Sequence, residues 1–401
     1  MFLSLAITSV ALLAYTYAGY PVLIWVLSHL RNRPVRKGTC IGGTSVLIAA
    51  HNEVDDLPRK LELLIDLAQD EPIREIWIGL DGCTDGTAEA VRERIQESGI
   101  RSQGELPSTR ASRPSPLRPA IHILEFETRR GKAAVLNDLM AQAAQPVLVM
   151  MDARQRVEEG AIPRLLENFA DPQVGVVSGA MVYDCAEGAA QKGAESYWGY
   201  ETFIRRCESR YWAVPGATGA LYAIRRELCG PIPDNTLVDD VLIPMRAVLK
   251  GFRCLFEPTA RVLDRPNTEY GRENIRKRRT LAGIWQIISI EPKIYSPIHN
   301  PAWFQWVSHK FLRLWTPFLL ATMLVALGIV EFRNDGRVGW PGITFIIVLA
   351  SLCASGLAYW AGGRVRFRAL GLLGAFFGVN FALLLAAKDA WTGHFEARWR
   401  K

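Results

Sequence analysis

Two patterns of hydrophobic positions run along the chain. At the front, Phe2 to Leu30 is an apolar run without lysine, arginine or acid, and a helix of that length is long enough to span a bilayer. A cleaved signal peptide would begin with basic residues and end at a small-residue site. Here the basic residues Arg31, Arg33, Arg36 and Lys37 follow the run, which predicts an uncleaved anchor with the next residues in the cytosol. At the back, apolar runs near Leu314–Val330, Trp340–Ala361 and Ala369–Ala387 can each cross the hydrocarbon with some tilt.

Between the ends, short apolar runs alternate with helical spacing. Strands are expected at Ser45–Ala50, Ile76–Leu80, Ile121–Phe126 and Pro146–Met151, and helices at Leu57–Leu67, Thr87–Ile95 and Ala133–Ala144. This alternation predicts an α/β domain with a mainly parallel sheet covered by helices. Ser98 to Pro119, rich in Arg, Ser and Pro, reads as a surface loop because it cannot bury a core. Glu269 to Thr280 is crowded with charge, and Trp285 to Trp306 mixes aromatics, prolines and charges as a segment at the bilayer interface would. The expected organisation is a membrane helix over 1–30, the α/β domain over 44–264, an interfacial amphipathic segment over 265–310, about three membrane helices over 311–387, and a tail over 388–401.

Composition changes this picture little. The 49% of hydrophobic residues average an apolar pair of ends with a soluble-looking middle, and the formal charge of +7 is modest. Arginines beside apolar segments meet anionic lipid headgroups, which explains that charge without a nucleic-acid surface. The seven cysteines form no Cys-x-x-Cys pair or zinc spacing and read as free thiols. If all four apolar runs span, Arg364, Arg366 and Arg368 lie in the cytosol. The tail, with Lys388, Arg398, Arg400 and Lys401, then exits outside, against the usual bias. A re-entrant or interfacial run would remove that conflict.

Candidate chemistry sits at strand ends. The first strand runs into His51, Asn52 and Glu53, the second into Asp81, and the fourth into Asp152. Ligands of open parallel sheets bind outside the carboxyl ends of the strands, where a carboxylate can hold a base, a ribose or a cation. No Gly-x-Gly-x-x-Gly follows the first strand, and Arg130-Gly131-Lys132 is not a P-loop. Lys132 and the start of its helix can still meet a phosphate.

At this point the residues resemble a family. Ala50-His51-Asn52-Glu53, Asp81-Gly82-Cys83-Thr84-Asp85-Gly86-Thr87, Gly131-Lys132-Ala133 and Asp152-Ala153-Arg154 occur in the order seen in family 2 of the GT-A inverting glycosyltransferases. Gly216-Ala217-Thr218-Gly219-Ala220, Val238-Asp239-Asp240 and Arg276-Lys277-Arg278-Arg279-Thr280-Leu281-Ala282-Gly283 follow. The resemblance covers roughly residues 44 to 315, and the apolar flanks look like those of membrane polysaccharide synthases, the relatives of cellulose, chitin and hyaluronan synthases. It implies an integral protein of the inner (plasma) membrane with a cytosolic GT-A domain. The partners implied are a nucleotide-sugar donor, a polysaccharide or lipid-linked acceptor, membrane lipids and export partners of unknown identity. Asn52, Glu53 and Asp81 would hold the nucleotide, with Lys132 and Arg279 near the diphosphate. Asp152 would bind the sugar nucleotide and Mg2+ or Mn2+. Asp240 matches the general base, Asp239 stands beside it, and Gly219, Arg276 and Thr280 fall on the acceptor side.

The sequence departs from that family in two places. Arg154 replaces the second acid of Asp-x-Asp, which leaves Asp152 as the one metal-binding carboxylate or lets Arg154 offset diphosphate charge itself. Arg276 and Thr280 stand where Gln-x-x-Arg-Trp has Gln and Trp, so processive polymer synthesis is not simply inherited. Trp285, five positions beyond Thr280, would sit about 140° around a continuous helix and is a poor substitute unless the helix breaks near Gly283. Other readings stand beside these. Asp239-Asp240 can cap a helix over Val241 to Leu249, Arg276 to Arg279 can form a lipid-headgroup patch, and Trp198, Trp212 and Trp285 can be packing residues. A single-addition lipid glycosyltransferase and a decayed, non-catalytic nucleotide-binding membrane protein are the alternatives to a polymer synthase.

Overall fold

A computed structural model describes residues 1–39, 42–99, 118–183, 189–264, 270–333, 339–361 and 368–393. Most of the Ser98–Pro119 loop, Cys40, Cys185, Arg364, Arg366 and the basic end of the tail lie outside the described residues, as does the side chain of Trp198. The five described cysteines are unpaired.

The strands are β1 (Thr44–Ala50), β2 (Ile73–Asp81), β3 (Ala120–Phe126), β4 (Val147–Met151), β5 (Arg156–Val157), β6 (Val174–Tyr183), β7 (Leu221–Arg225) and β8 (Arg253–Asp264). They form one sheet in the order β3-β2-β1-β4-β7-β6-β8-β5. The first four are mutually parallel, β7 runs antiparallel to both β4 and β6, and β6 is parallel to β8. The GT-A reading therefore holds as a mixed, mainly parallel sheet. Its later strands carried no clear period of their own.

Side-chain alternation sorts the core into two layers. Val46, Ile48 and Ala50 of β1 face a layer made by α2 (Leu57–Leu67), α3 (Thr87–Ser98) and α5 (Ala161–Leu166). Leu47 and Ala49 face the opposite layer, with α4 (Lys132–Gln142) and α7 (Asp239–Leu249). α6 (Ala189–Tyr211) and α8 (Tyr270–Ile290) complete the domain.

α1 (Phe2–Leu30), α11 (Trp340–Ala361) and α12 (Arg368–Thr392) carry three stretches long and apolar enough to cross a membrane. α9 (Trp303–Leu314) and α10 (Thr316–Phe332) form a further pair bent by 60°. The run expected near Leu314–Val330 is thus the second arm of a broken helix, with Pro317 at its start.

One expectation is corrected. The segment expected at the bilayer interface instead buries Trp285, Ile287, Ile294 and Trp306 in the core shared with α4 and α7. Its aromatics have a sheet-backed layer to fill, so burial wins over the interface. In the arginine segment that could also meet lipid headgroups, Arg276 and Lys277 are exposed and Arg278 and Arg279 are partly buried. Arg276 approaches Asp264 at 4.0 Å, Arg278 pairs with Asp389 of α12, and Arg279 donates to the Leu237 carbonyl at 3.4 Å.

Candidate active site

Parallel pairing of β1, β2 and β4 brings their carboxyl ends to one edge, where Asn52, Asp81 and Asp152 follow. Leu221 opposite Met151 carries the loop Gly216–Ala220 to the same edge. Arg154 leads into β5, whose Arg156 opposes Leu263, and this places it beside Asp264.

Asp81 is 1% exposed. Its two oxygens accept from the backbone N–H groups of Arg130, at 2.6 Å, and Gly131, at 2.8 Å. Its carboxylate thereby fixes the turn before Lys132, and a Cβ on the following Gly82 would meet the Arg129 nitrogen at 2.7 Å. His51 Nδ1 lies 2.6 Å from the Asp81 carbonyl oxygen. Asn52 holds a left-handed backbone, with φ of 55°, unique among the described non-glycine residues. Such a conformation is costly and is held by its surroundings: Asn52 Oδ1 accepts from the Thr84 N–H at 2.9 Å. The Glu53 N–H donates to Thr87 Oγ1 at 2.9 Å.

Lys132 occupies the centre. Its ammonium stands 3.0 Å from Asp152 Oδ1 and 3.2 Å from Asp239 Oδ2. Burial opposes its charge, but Asp152, Asp239 and Asp240 together raise its pKa. Burial likewise opposes the Asp152 carboxylate, and Lys132, Lys60 and Arg276 hold it below its ordinary value. Arg279 faces the charges of Asp239, Asp152 and Asp240.

Asp240 is partly exposed. Its Oδ2 accepts the Gly219 N–H at 3.0 Å, and its carbonyl oxygen accepts the Ala217 N–H at 2.8 Å. A Cβ at Gly219 would stand 3.1 Å from that same carboxylate oxygen, so a larger residue there would press on the carboxylate. Burial and the neighbouring Asp239 push the Asp240 carboxyl up to about 6, against the pull of Lys132. Neither acid caps α7: Val238 holds the capping position, and Asp239 and Asp240 are the first two helical residues. There they complement the helix dipole and point into the site.

Arg154 donates to Asp264 Oδ2 at 2.9 Å, Asp264 being 1% exposed. Thr280 is exposed and donates to the Arg276 carbonyl at 3.1 Å. α8 runs unbroken through Gly283, and Trp285 is buried against Phe311 and Trp315, so it offers no stacking face in place of Thr280.

Lys60 and Asp264 escaped the sequence reading. Lys60 is 4% exposed and donates to the Asp152 carbonyl at 2.9 Å. Burial draws its pKa down to about 8, against the attraction of Asp152. Its signal was a lysine on the apolar face of α2, in line with Leu57, Leu61 and Leu64.

For a divalent cation, Asp152 supplies one carboxylate at the strand edge. Among the described residues no three His, Cys, Asp or Glu side chains gather into a protein-only metal site. This donor set fits an ion held by one carboxylate, with phosphate oxygens and water for the rest, as magnesium accepts.

A mainly parallel sheet with these acids at its carboxyl edge, beside an acid-bearing helix start, is an arrangement of the GT-A fold. A mannosyltransferase from Pyrobaculum calidifontis, solved with GDP-Man and Mn2+, shares this fold, with a TM-score of 0.69, 22% identity, and coverage of 96% of this chain and 99% of that one. Residues 45–231 match the model of glycosyl transferase family 2. It is 24% identical over 223 residues to the poly-β-1,6-N-acetyl-D-glucosamine synthase of Staphylococcus aureus (strain MSSA476), covering 54% of this chain and 48% of that protein. Against the enzyme of that name from Staphylococcus epidermidis it is 21% identical over 225 residues, covering 55% and 49%. The chain thus spans about half the length of the curated relatives it matches.

Proposed function

We propose that this protein is a membrane-embedded inverting glycosyltransferase. It moves a sugar from a nucleotide-diphosphate sugar to an acceptor held at the inner membrane, with residues 44–264 on the cytosolic face. The observation that carries this reading is Asp240, a carboxyl pushed up to about 6 and fixed by the Gly219 N–H, across from the Lys132-bridged pair Asp152 and Asp239.

In the mechanism this supports, Asn52, Glu53 and the Asp81-anchored turn receive the nucleotide. The acceptor hydroxyl gives its proton to Asp240 as its oxygen attacks the anomeric carbon, and the bond from that carbon to the diphosphate breaks. Lys132 and Arg279 meet the charge that develops on the departing diphosphate. Arg154 and Arg276, both near Asp264, add positive charge beside it. Asp152 would hold Mg2+ or Mn2+ together with diphosphate oxygens, and the ion would supply further charge neutralisation there.

Polymer extension is supported by the spans on both sides of the domain and by the S. aureus relative. Addition of a single sugar is supported by Thr280 and by the burial of Trp285, which leave this helix without an aromatic platform. The test is transfer or hydrolysis from a panel of UDP- and GDP-sugars by the full chain in lipid, with Mn2+ or Mg2+ and after dialysis against EDTA. Turnover of a panel member that is lost on dialysis is expected. Absence of transfer and hydrolysis from every panel member would overturn the reading in favour of a non-catalytic nucleotide-binding membrane protein. Chain length of the product under donor excess separates the two acceptor modes.

A further inference from the structure

The loop before β7 divides its polar groups between two partners. Ala217 and Gly219 donate their N–H groups to Asp240, one to its carbonyl and one to its carboxylate. The groups that alternate with them turn the other way. The Thr218 N–H donates to Ser178 Oγ at 2.9 Å, Thr218 Oγ1 accepts from Arg205 at 2.8 Å, and the Gly216 carbonyl accepts from Arg205 at 3.3 Å. Arg205 also donates to Ser178 Oγ at 2.9 Å. A single guanidinium therefore holds Gly216, Thr218 and the hydroxyl that receives the Thr218 N–H. Residues 216–218 belong to no helix or strand, and Gly216 has a φ of 114°. With no ladder to fix it, the loop takes its shape from these bonds.

Arg205 is built for that task. It is 9% exposed and lies over the Phe256 ring of β8 at 4.7 Å. Its fork is planar and its terminal nitrogens serve different acceptors, Nη1 taking Thr218 and Nη2 taking Ser178 and Gly216. The helix that carries it is pinned on both sides. One turn earlier, Glu201 accepts from Arg313 at 3.1 Å and lies 3.1 Å from His309 Nε2. Three residues later, Glu208 accepts from the Tyr20 hydroxyl at 2.5 Å and lies 2.9 Å from His309 Nδ1. α6 cannot roll or slide without breaking contacts to α1 and α9. No hydrogen bond or ion pair joins Arg205 to Asp240 itself among the described residues.

We propose that Arg205 is a positioning residue for sugar transfer, which sets the Gly216–Gly219 loop so that its two outward N–H groups hold Asp240 toward the acceptor hydroxyl. This rests on the transferase reading above, in which Asp240 takes the proton. A donor on Oδ2 favours the ionised carboxylate, so a slackened loop leaves a base that is misaimed and ionises at higher pH. The charges that reach this carboxyl, from Asp239, Lys132, Asp152 and Lys310, all remain when Arg205 is replaced.

The test uses the full chain in lipid with the donor turned over in the UDP- and GDP-sugar panel. In Arg205→Met, kcat should fall roughly 10- to 100-fold, the worth of one hydrogen bond to a charged group, while KM for the donor changes by less than about twofold. The rising limb of kcat/KM should move to higher pH. Arg205→Lys keeps the charge without the fork and should behave like Arg205→Met. Thr218→Val removes one acceptor of the fork and leaves α6 intact. It should move the limb the same way by less, and added to Arg205→Met it should cost little more. Deuterium exchange in peptides covering residues 214–221 should quicken in Arg205→Met. A limb that stays in place in Thr218→Val and in Arg205→Met would overturn the proposal, because a residue that serves stability alone lowers the thermal midpoint without moving it. Wild-type kcat in Arg205→Lys, or unchanged exchange in the loop, would overturn it too. A wild-type chain that turns over no member of the panel strikes the transferase reading instead, and loop exchange then still reports whether Arg205 is the brace.

Discussion

On the proposed donor side, the groups around Asp152 stand mostly at the ends of parallel strands or on the turns that follow them. On the acceptor side, the groups around Asp240 come from α6, α7, α8, α9 and a loop before β7, brought together from distant parts of the chain. The donor half is therefore specified by short segments, each closed by its own hydrogen bonds, as Asp81 closes the turn at Gly131. The acceptor half depends on packing between the sheet domain and the helices that lead into the membrane. A change on the donor side should alter one contact, whereas a change on the acceptor side should travel.

The sharpest way to break this contrast is Asp240→Asn. Transfer should fall by roughly 100- to 10,000-fold, the usual worth of a general base, while nucleotide binding measured by displacement stays intact. Near-wild-type turnover would remove Asp240 from the role. Trp306→Ala follows. Trp306 is fully buried in the core shared with α4 and α7, and truncation should cost about 3–5 kcal/mol. A lowered thermal midpoint of the whole protein is the expected readout; a midpoint unchanged in lipid would mean that the two regions are independent.

Lys132→Met should strike the donor half first and, by removing the cation beside Asp239, should also push the Asp240 carboxyl further up. Loss of a cation facing the diphosphate should lower kcat by roughly 100-fold with little change in thermal midpoint, and a large stability loss would make Lys132 a structural residue. The smallest effects concern pH. With the Asp240 carboxyl near 6, the base is ionised above that value, so kcat/KM should rise with pH and level off beyond about 6. Lys60, with its pKa drawn down to about 8, loses its charge above that value. A descending limb of roughly fivefold, the worth of one hydrogen bond, should appear there and vanish in Lys60→Met. A profile flat through pH 6 would count against Asp240.

The same contrast explains what was legible in the sequence. Asp81, Asp152 and Asn52 each close a run with a strand's own period, so pattern alone placed them at one edge. Lys60 was readable in principle, as a charge on the apolar stripe of α2. Arg205 and Glu208 were not: α6 alternates polar and aromatic residues, and only the docking of α1 and α9 shows which of its charges are buried. The interfacial segment was misjudged for a related reason. Composition gives Trp285 and Trp306 equal claims to a bilayer surface and to a protein core, and the presence of a sheet-backed layer decides between them. Asp264 closes β8, but nothing nearby in sequence announces that Arg154 will reach it.

The shared core has a consequence for descent. Trp306 of α9 and Leu383 and Ala387 of α12 pack in the same layer as Leu136 and Leu242 of the sheet domain. A recombination event that joined this sheet domain to another protein's membrane segment would inherit half a core, with apolar faces lacking their counterparts. Variation that survives should therefore accumulate within the sheet domain and its flanking helices in concert, and lineages should exchange them as a single heritable block.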